Sequence, residues 1–223
     1  MSFIVAIDGP AGVGKGTIAN LVAEKFGFLN VDTGAMYRSV TLAMLRQNIG
    51  IEEEEKIEKL LSEITIELKE ENGEEVVLLN GEDVSEAIRT KEVNAFISGV
   101  SALRIVRNKM LEIQRKIAQG QEVVMEGRDI GSTVFPNADV KIYLDATVEE
   151  RANRRLRQNK EKGIEMSYEE VLESVKKRDL IDSTREVSPL RKADDAILID
   201  CTELSLEQLS NKVYEIIEEK MKK

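Results

Sequence analysis

The 223-residue sequence has no histidine and no tryptophan, one cysteine, three prolines and no long apolar run. Without histidine, the chain cannot form the usual neutral-pH general base, a serine–histidine triad or a histidine-ligated metal site. The single Cys201 excludes an internal disulfide framework and favours a reducing compartment. No apolar run approaches the ~20 residues that a membrane span needs. These absences favour chemistry that depends on positioned charge.

Net charge and composition narrow the class of protein further. A net charge of −10 argues against binding nucleic acid by bulk attraction, so any anionic ligand needs a local cluster of cations. The length suits one α/β core with an insertion. An apolar segment begins at Phe3 and leaves no room for a signal peptide before it. We therefore expect a cytoplasmic protein without membrane or nucleic-acid partners and, in the absence of an exposed heptad pattern, a monomer.

The most informative stretch is the loop GPAGVGKGT at residues 9–17, which follows the apolar run Phe3–Asp8. Glycines let successive backbone N–H groups point inward, Lys15 adds a positive charge, and the following helix presents its N-terminus. This context favours a nucleotide-binding P-loop over a chance glycine-rich turn. The predicted ATP contacts are Gly9, Pro10, Ala11, Gly12, Val13, Gly14, Lys15, Gly16 and Thr17. Gly16 takes the place where the usual pattern has a serine or threonine that holds Mg²⁺.

Five apolar runs predict a five-stranded parallel sheet flanked by helices, a doubly wound α/β fold. The predicted strands are Phe3–Asp8, Phe28–Asp32, Glu122–Glu126, Val140–Asp145 and Ala196–Asp200. Between the second and third strands, residues 48–121 form a long excursion. Alternation over Ile64–Leu68, the turn pairs Asn72-Gly73 and Asn80-Gly81, Val76–Leu79 and a short strand near Val84 predict a small antiparallel sheet there.

Cationic and carboxylate side chains follow the strand ends, where doubly wound sheets bind ligands. Thr33 and Arg38 can converge on a phosphate, although an ordinary helix start is an equal alternative. After the third strand, Arg128 can bind a phosphate and Asp129 can accept hydrogen bonds from a ligand, with a surface ion pair between them as the alternative. A third set, Arg178, Asp182 and Arg185, shares one helix face and could be purely structural. A cationic segment follows the fourth strand and could close over a transferring phosphoryl group, with a merely charged exposed helix as the alternative. Its arginines are Arg151, Arg154, Arg155 and Arg157.

At this point the sequence resembles the bacterial cytidylate kinases, nucleoside-monophosphate kinases of the P-loop class, over nearly its whole length. The segments that carry the resemblance are IDGPAGVGKGT, VDTGAMYR, LNGEDVSEAIRT, EGRDIGSTVFPNADVKIYLDA, RDLIDSTREVSPL and DAILIDCTELSLEQL. The resemblance implies transfer of the ATP γ-phosphoryl to CMP or dCMP with Mg²⁺, in pyrimidine metabolism. It also implies a single P-loop kinase unit over 1–223: a core of about 1–32, 105–150 and 170–223, an NMP-binding insertion of about 33–104, and a lid of about 151–169.

The resemblance also implies a role for each matching residue. Thr33, Arg38 and Arg128 would hold the CMP phosphate. Ser98, Arg107 and Asp129 would contact cytosine, with Ser98–Arg107 as a base-recognising helix. Arg178, Asp182 and Arg185 would serve the ribose and phosphates. The expected catalytic residues are Lys15, Arg128, Arg154 and Arg155, and Arg157 would bind ATP.

Two positions depart from the form of some family members. Thr33 replaces a serine and keeps the hydroxyl, whereas Glu126 stands where others have aspartate. The candidate metal contacts are therefore Thr17 and, through water, Glu126.

Two rival functions are weighed against this interpretation. Another small-molecule P-loop kinase, for adenylate, uridylate or shikimate, would share the loop but would not explain the sheet-bearing insertion together with Arg178–Arg185. A GTPase switch requires D-x-x-G and N-K-x-D patterns, and neither occurs in the sequence.

Overall fold

The computed structural model describes residues 2–71, 74–161 and 163–222. The secondary-structure elements, in chain order, are β1 (Ile4–Asp8), α1 (Lys15–Phe26), β2 (Leu29–Asp32), α2 (Thr33–Arg46), α3 (Glu54–Glu63), β3 (Ile66–Glu71), β4 (Glu74–Leu79), β5 (Glu82–Asp83), α4 (Lys91–Ala102), α5 (Arg104–Ile117), β6 (Val123–Gly127), β7 (Val140–Asp145), α6 (Val148–Glu161), α7 (Tyr168–Thr184), β8 (Ile197–Asp200) and α8 (Leu206–Met221). Short 3₁₀ and π-helical turns span Ala87–Arg89 and Ile130–Val134.

The chain divides into two compact units. The first comprises Met1–Val31 and Ala118–Lys223, and the second comprises Asp32–Ile117. The second unit thus includes α5, whereas the predicted insertion ends near residue 104. The predicted division into core, insertion and lid remains a prediction.

A five-stranded parallel sheet in the order β2-β6-β1-β7-β8 forms the centre of the first unit, which confirms the predicted fold class. β1 lies in the middle: Val5 pairs with Val124 on one side and with Val140 on the other. The apolar side chains of these strands are buried together with Ile18 and Val22 of α1 and with Val213 of α8. Because the strands are parallel, Asp8, Gly127 and Asp145 end at one edge of the sheet.

Local signals fix the ends of several helices. Gly14 and Gly27 adopt left-handed conformations at the two ends of α1. The pattern Ser205-x-x-Gln208 predicts a capping box, and the structure has one at the start of α8, with Ser205 and Gln208 bonded reciprocally. A second capping box at Ser167 and Glu170 opens α7.

The second unit contains the predicted small antiparallel sheet, in the order β3-β4-β5. Its predicted Asn72-Gly73 turn lies outside the described residues. The other turn pair, Asn80-Gly81, has φ values of 52° and 81°, the conformation of a tight hairpin turn between β4 and β5. The third strand lies just before Val84.

No helix within the described residues is both long enough and apolar enough to cross a membrane.

Candidate active site

The loop between β1 and α1 depends on conformations and contacts that favour glycine. Gly12 has a φ of 78°, and a Cβ there would lie 3.2 Å from the carbonyl oxygen of Arg151. Gly9 approaches β7 so closely that a Cβ would overlap the carbonyl oxygen of Leu144. A side chain at either position would strain the backbone or displace its neighbour. The loop can therefore keep the tight winding in which successive N–H groups line an anion site.

Three cations bind carbonyl groups of this loop. Lys15 Nζ donates to the Pro10 oxygen at 2.9 Å, Arg151 Nη1 to Ala11 at 3.1 Å and Arg154 Nη1 to Val13 at 3.3 Å. In a trans peptide the carbonyl and the next N–H point in opposite directions. The N–H groups that follow Ala11 and Val13 therefore point away from the two arginines, as an anion-binding loop requires.

Lys15 is the buried cation of the loop. Its Nζ lies 3.9 Å from Glu126 Oε2, and its side chain is 5% exposed. Burial, together with the charge of Arg128, lowers the pKa of Lys15 to about 7, although the Glu126 carboxylate partly opposes the change. An anion bound next to Lys15 would stabilise the protonated form of this buried amine.

The position after Lys15 lies against a carboxylate. A Cβ on Gly16 would lie 3.3 Å from Glu126 Oε1, and Thr17 is exposed. The described residues contain no group of three or more metal-ligating side chains. Kinase Mg²⁺ is commonly held by one or two carboxylates with substrate phosphates and water. The Glu126 carboxylate beside this loop therefore fits an Mg²⁺ ion whose other ligands would be phosphates and water.

A second charged cluster centres on Asp182 of α7. Its carboxylate accepts a 2.9 Å bond from Arg128 Nε and lies 3.8 Å from Arg185 Nη1 and 3.9 Å from Arg178 Nε. Arg185 also reaches Asp129, at 3.4 Å. Burial alone would raise the pKa of Asp182, but the charges of Arg128 and Arg178 outweigh it and hold the pKa below its usual value. The cluster is thus three guanidinium groups arranged around a carboxylate, with a second carboxylate beside Arg185.

Asp8 fixes the turn that follows Asp129. Its carboxylate oxygens accept bonds from the N–H groups of Ile130 at 2.8 Å and Gly131 at 2.7 Å. Burial raises the pKa of Asp8 to about 6, although the two N–H bonds oppose the change. The carboxylate therefore connects the end of β1 to the first residues of the Ile130–Val134 turn.

Four of the predicted site residues belong to the second unit. Thr33 opens α2, and Arg38 Nη1 lies 2.9 Å from the Cβ position of Gly34, which puts its guanidinium at the first turn of that helix. Thr33 and Arg38 therefore lie at the same helix end, as predicted from their spacing.

Ser98 and Arg107 are connected through the end of α4. Ser101 Oγ donates to the Ser98 carbonyl, and Arg107 donates to the Ser101 carbonyl at 3.1 Å. The segment Ser98–Arg107 is not one helix, because the extended backbone of Leu103 separates α4 from α5. Arg107 is buried and its Cζ lies 5.4 Å from the ring centroid of Tyr37.

Comparison with known proteins supplies the family. The sequence profile described as "Cytidylate kinase" matches residues 5–219. The chain belongs to the cytidylate kinase family. A protein of Caldicellulosiruptor saccharolyticus named "Cytidylate kinase" is 50% identical over 212 residues, which is 95% of this chain and 94% of the relative. The protein of the same name from Bacillus subtilis is 48% identical over 216 residues, covering 97% of this chain and 96% of that one.

A solved structure agrees at the level of the fold. An uncharacterized protein from Eubacterium ventriosum superposes with a TM-score of 0.55 at 12% identity, covering 98% of this chain and 99% of the other. At that identity the likeness concerns the fold alone.

The arginines of α6 differ in their burial and in their bonding partners. Arg154 is half-buried and bonds to Glu150, to the Val13 carbonyl and to the Cys201 carbonyl. Arg155 and Arg157 are exposed, and Arg157 pairs with Glu150 at 3.4 Å. Arg151 of the same helix is buried.

Several residues around the predicted site were not assigned to it from the sequence. Tyr37 contacts Arg107, and Arg151 contacts the loop at Ala11. Asp179 pairs with Arg151, and Asp8 accepts bonds from the turn that follows Asp129. Asp8 was visible only as a strand-end acid next to the loop. Arg151 gave no signal apart from its place in a charged helix.

Proposed function

We propose that this protein transfers the γ-phosphoryl group of ATP to CMP or dCMP and releases ADP with CDP or dCDP. One observation carries the proposal: the same compact unit holds the glycine-rich loop and, at the end of a strand next to β1, a cluster of arginines around a buried carboxylate. A nucleotide-binding module with no second substrate would not need the second cluster.

On the donor side, the loop amides and Lys15 would hold the triphosphate. Arg157 would bind ATP, and Arg154 and Arg155 would neutralise charge on the transferring group. In the described structure Arg154 bonds to Val13 and Cys201, so this role requires that it leave those carbonyls when the substrates bind. Glu126 through water and the Thr17 hydroxyl would hold Mg²⁺, which supplies charge neutralisation at the β- and γ-phosphates.

On the acceptor side, the proposal assigns the phosphate to Thr33, Arg38 and Arg128. Arginine suits this role because its planar donors match two phosphate oxygens at once. The helix start at Thr33, with the Arg38 guanidinium folded over it, supports the assignment for the second unit.

The nucleoside is assigned to Ser98, Arg107 and Asp129 for cytosine and to Arg178, Asp182 and Arg185 for the ribose and phosphates. A carboxylate at position 129 accepts a hydrogen bond from the cytosine N4 amino group and repels the uracil O4 carbonyl. A buried mismatch of this kind can give ~10⁴-fold discrimination.

The chemistry needs no strong general base. The attacking atom is an oxygen of the CMP phosphate, which is already anionic, so the protein has to position it and stabilise the charge that develops. This explains how a chain without histidine can catalyse the reaction. We place the protein in the cytoplasm, in pyrimidine nucleotide metabolism, and propose that it acts as a monomer.

The substrate test is an ADP-release assay with CMP, dCMP, UMP, AMP and shikimate at equal concentrations. We expect activity with CMP and dCMP far above the rest. Activity that favours AMP or shikimate would reject the proposal.

The specificity test uses Asp129→Ala. We expect a raised KM for CMP and a loss of preference over UMP, since the acceptor for the N4 amino group is gone. An unchanged ratio of kcat/KM for CMP and UMP would remove Asp129 from base recognition.

A further inference from the structure

Arg151 connects three elements of the first unit. Its guanidinium donates to Ala146 at the end of β7 through Nε, to Ala11 in the loop through Nη1, and to Asp179 of α7 through Nη2. The three bonds measure 3.1, 3.1 and 2.6 Å. Because a guanidinium is planar and rigid, its three acceptors cannot move independently without breaking a bond.

The contact with the loop has a second component. The Arg151 carbonyl oxygen lies 3.2 Å from where a Cβ on Gly12 would be, so backbone and side chain of Arg151 both pack against the loop. The side chain is 4% exposed. A buried charge of this kind is normally paired and hydrogen-bonded, and here Asp179 supplies the opposite charge.

Asp179 lies in the part of α7 that carries the second cluster. Arg178 precedes it, and Asp182, which binds Arg128, follows it within one turn. The earlier part of α7 is held differently, by apolar contacts of Val171 and Val175 with α6. Over the described residues, the other carboxylate oxygen of Asp179 is buried and accepts no hydrogen bond. Its side chain is therefore held by Arg151 through one oxygen.

We propose that Arg151 is a positioning residue that couples the nucleotide loop to the acceptor-site part of α7 through Asp179. ATP in the loop fixes the Ala11 peptide group, which fixes Arg151, and the 2.6 Å ion pair transmits the restraint to α7. When CMP then binds, α7 is already ordered, so less conformational entropy is lost and the affinity for CMP rises. The inference rests on the proposed function, because it takes Arg178, Asp182 and Arg185 as acceptor-binding residues.

The test is calorimetric titration of CMP into the full-length protein, with and without the β,γ-imido analogue of ATP and Mg²⁺. For the native sequence we expect CMP to bind at least about fivefold more tightly when the analogue is present. In Asp179→Ala that ratio should fall below about twofold, while the affinity for the analogue alone changes less than about threefold. Asp179→Asn keeps an oxygen acceptor and should retain an intermediate ratio.

Glu150→Ala is the matched control. It removes the carboxylate partner of Arg154, another α6 arginine that contacts the loop, and in the described part of the chain that carboxylate bonds to Arg154 and Arg157 of α6 and not to α7. This variant should keep the native ratio. Arg151→Lys provides a second route: a lysine cannot bridge all three acceptors, so the ratio should fall as in Asp179→Ala.

The possible outcomes distinguish failure of the proposed function from failure of the proposed Arg151–Asp179 coupling. A native protein that binds neither nucleotide rejects the proposed function and this inference with it. A native protein that binds both, with no coupling or with a ratio that Asp179→Ala and Arg151→Lys leave unchanged, rejects the inference alone. A ratio lost equally in Glu150→Ala would show that general loosening of the loop, not the Arg151–Asp179 pair, is responsible.

Discussion

Replacing Asp182 with alanine tests the charged cluster most directly. The Asp182 side chain is 6% exposed and lies within 3.9 Å of guanidinium nitrogens from Arg128, Arg178 and Arg185. The substitution leaves three neighbouring guanidinium groups without the carboxylate that lies between them. Removal of one partner from a buried ion pair costs about 3–5 kcal/mol.

We expect the lower end of that range, about 3 kcal/mol, for two reasons. Arg178 is 29% exposed, so water compensates part of its loss, and Arg185 keeps its contact with Asp129. For a chain of this size each kcal/mol shifts Tm by about 2–4 °C, which predicts a decrease of about 6–12 °C.

The assay is thermal unfolding followed by circular dichroism, with urea unfolding as a second measure. Glu218→Ala is the control, since its ion pair with Lys25 is about as short, at 2.9 Å, but both side chains are 40% or more exposed. We expect no measurable change in that variant. Added phosphate should raise the Tm of Asp182→Ala more than that of the native protein, because the three arginines then lack their carboxylate.

The pH dependence follows from the lowered pKa of Asp182. A carboxylate with a depressed pKa in the folded state stabilises the fold above its unfolded pKa, and the stabilisation is lost as pH falls through the folded value. The Tm difference between native and Asp182→Ala protein should therefore be full at neutral pH and shrink in strong acid. A variant as stable as Glu218→Ala at neutral pH would refute the argument that this cluster is electrostatically coupled.

Three further predictions concern the buried ionisable groups near the loop. Lys15→Met should lower kcat by orders of magnitude with an unchanged circular dichroism spectrum, and near-normal turnover would contradict its role. Because the pKa of Lys15 is about 7 in the free protein and an added triphosphate raises it, binding of the ATP analogue at pH 8 should take up a proton. Calorimetry in two buffers of different ionisation enthalpy measures this uptake, which should be absent in Lys15→Met. Asp8 has a folded pKa of about 6 against 3.8, so its ionisation should remove about 2 kcal/mol of stability as pH rises from 4 to 7. Unfolding free energies of native and Asp8→Asn protein should therefore converge or cross over this range, and parallel curves would contradict the raised pKa.

The sequence predicted those features whose causes lie within a few residues. The five strands are apolar runs, the loop before α1 is marked by its glycines, and the Ser205–Gln208 cap is a four-residue pattern. The Asn80-Gly81 turn is also where the pattern predicts it. Each of these features depends on local backbone conformation or on the burial of a single strand. Both are determined by residues that are close together in the sequence.

The features that were missed depend on contacts between distant segments. Arg151 looks like its neighbours in a charged helix, and its burial follows from the Ala11 and Ala146 carbonyls, which the sheet brings beside it. The break at Leu103 has no proline or glycine to mark it. The first two N–H groups of the Ile130–Val134 turn are bonded by Asp8, which lies more than a hundred residues earlier in the sequence.

The strand order has a consequence for how the protein is made. β1 is translated before the second unit, whereas both of its partners, β6 and β7, are translated after it. The second unit is one continuous segment, Asp32–Ile117, and its contacts can form as soon as it leaves the ribosome. We therefore expect the second unit to fold before the central sheet is complete, while the loop after β1 takes its final shape only once β6 and β7 have also left the ribosome.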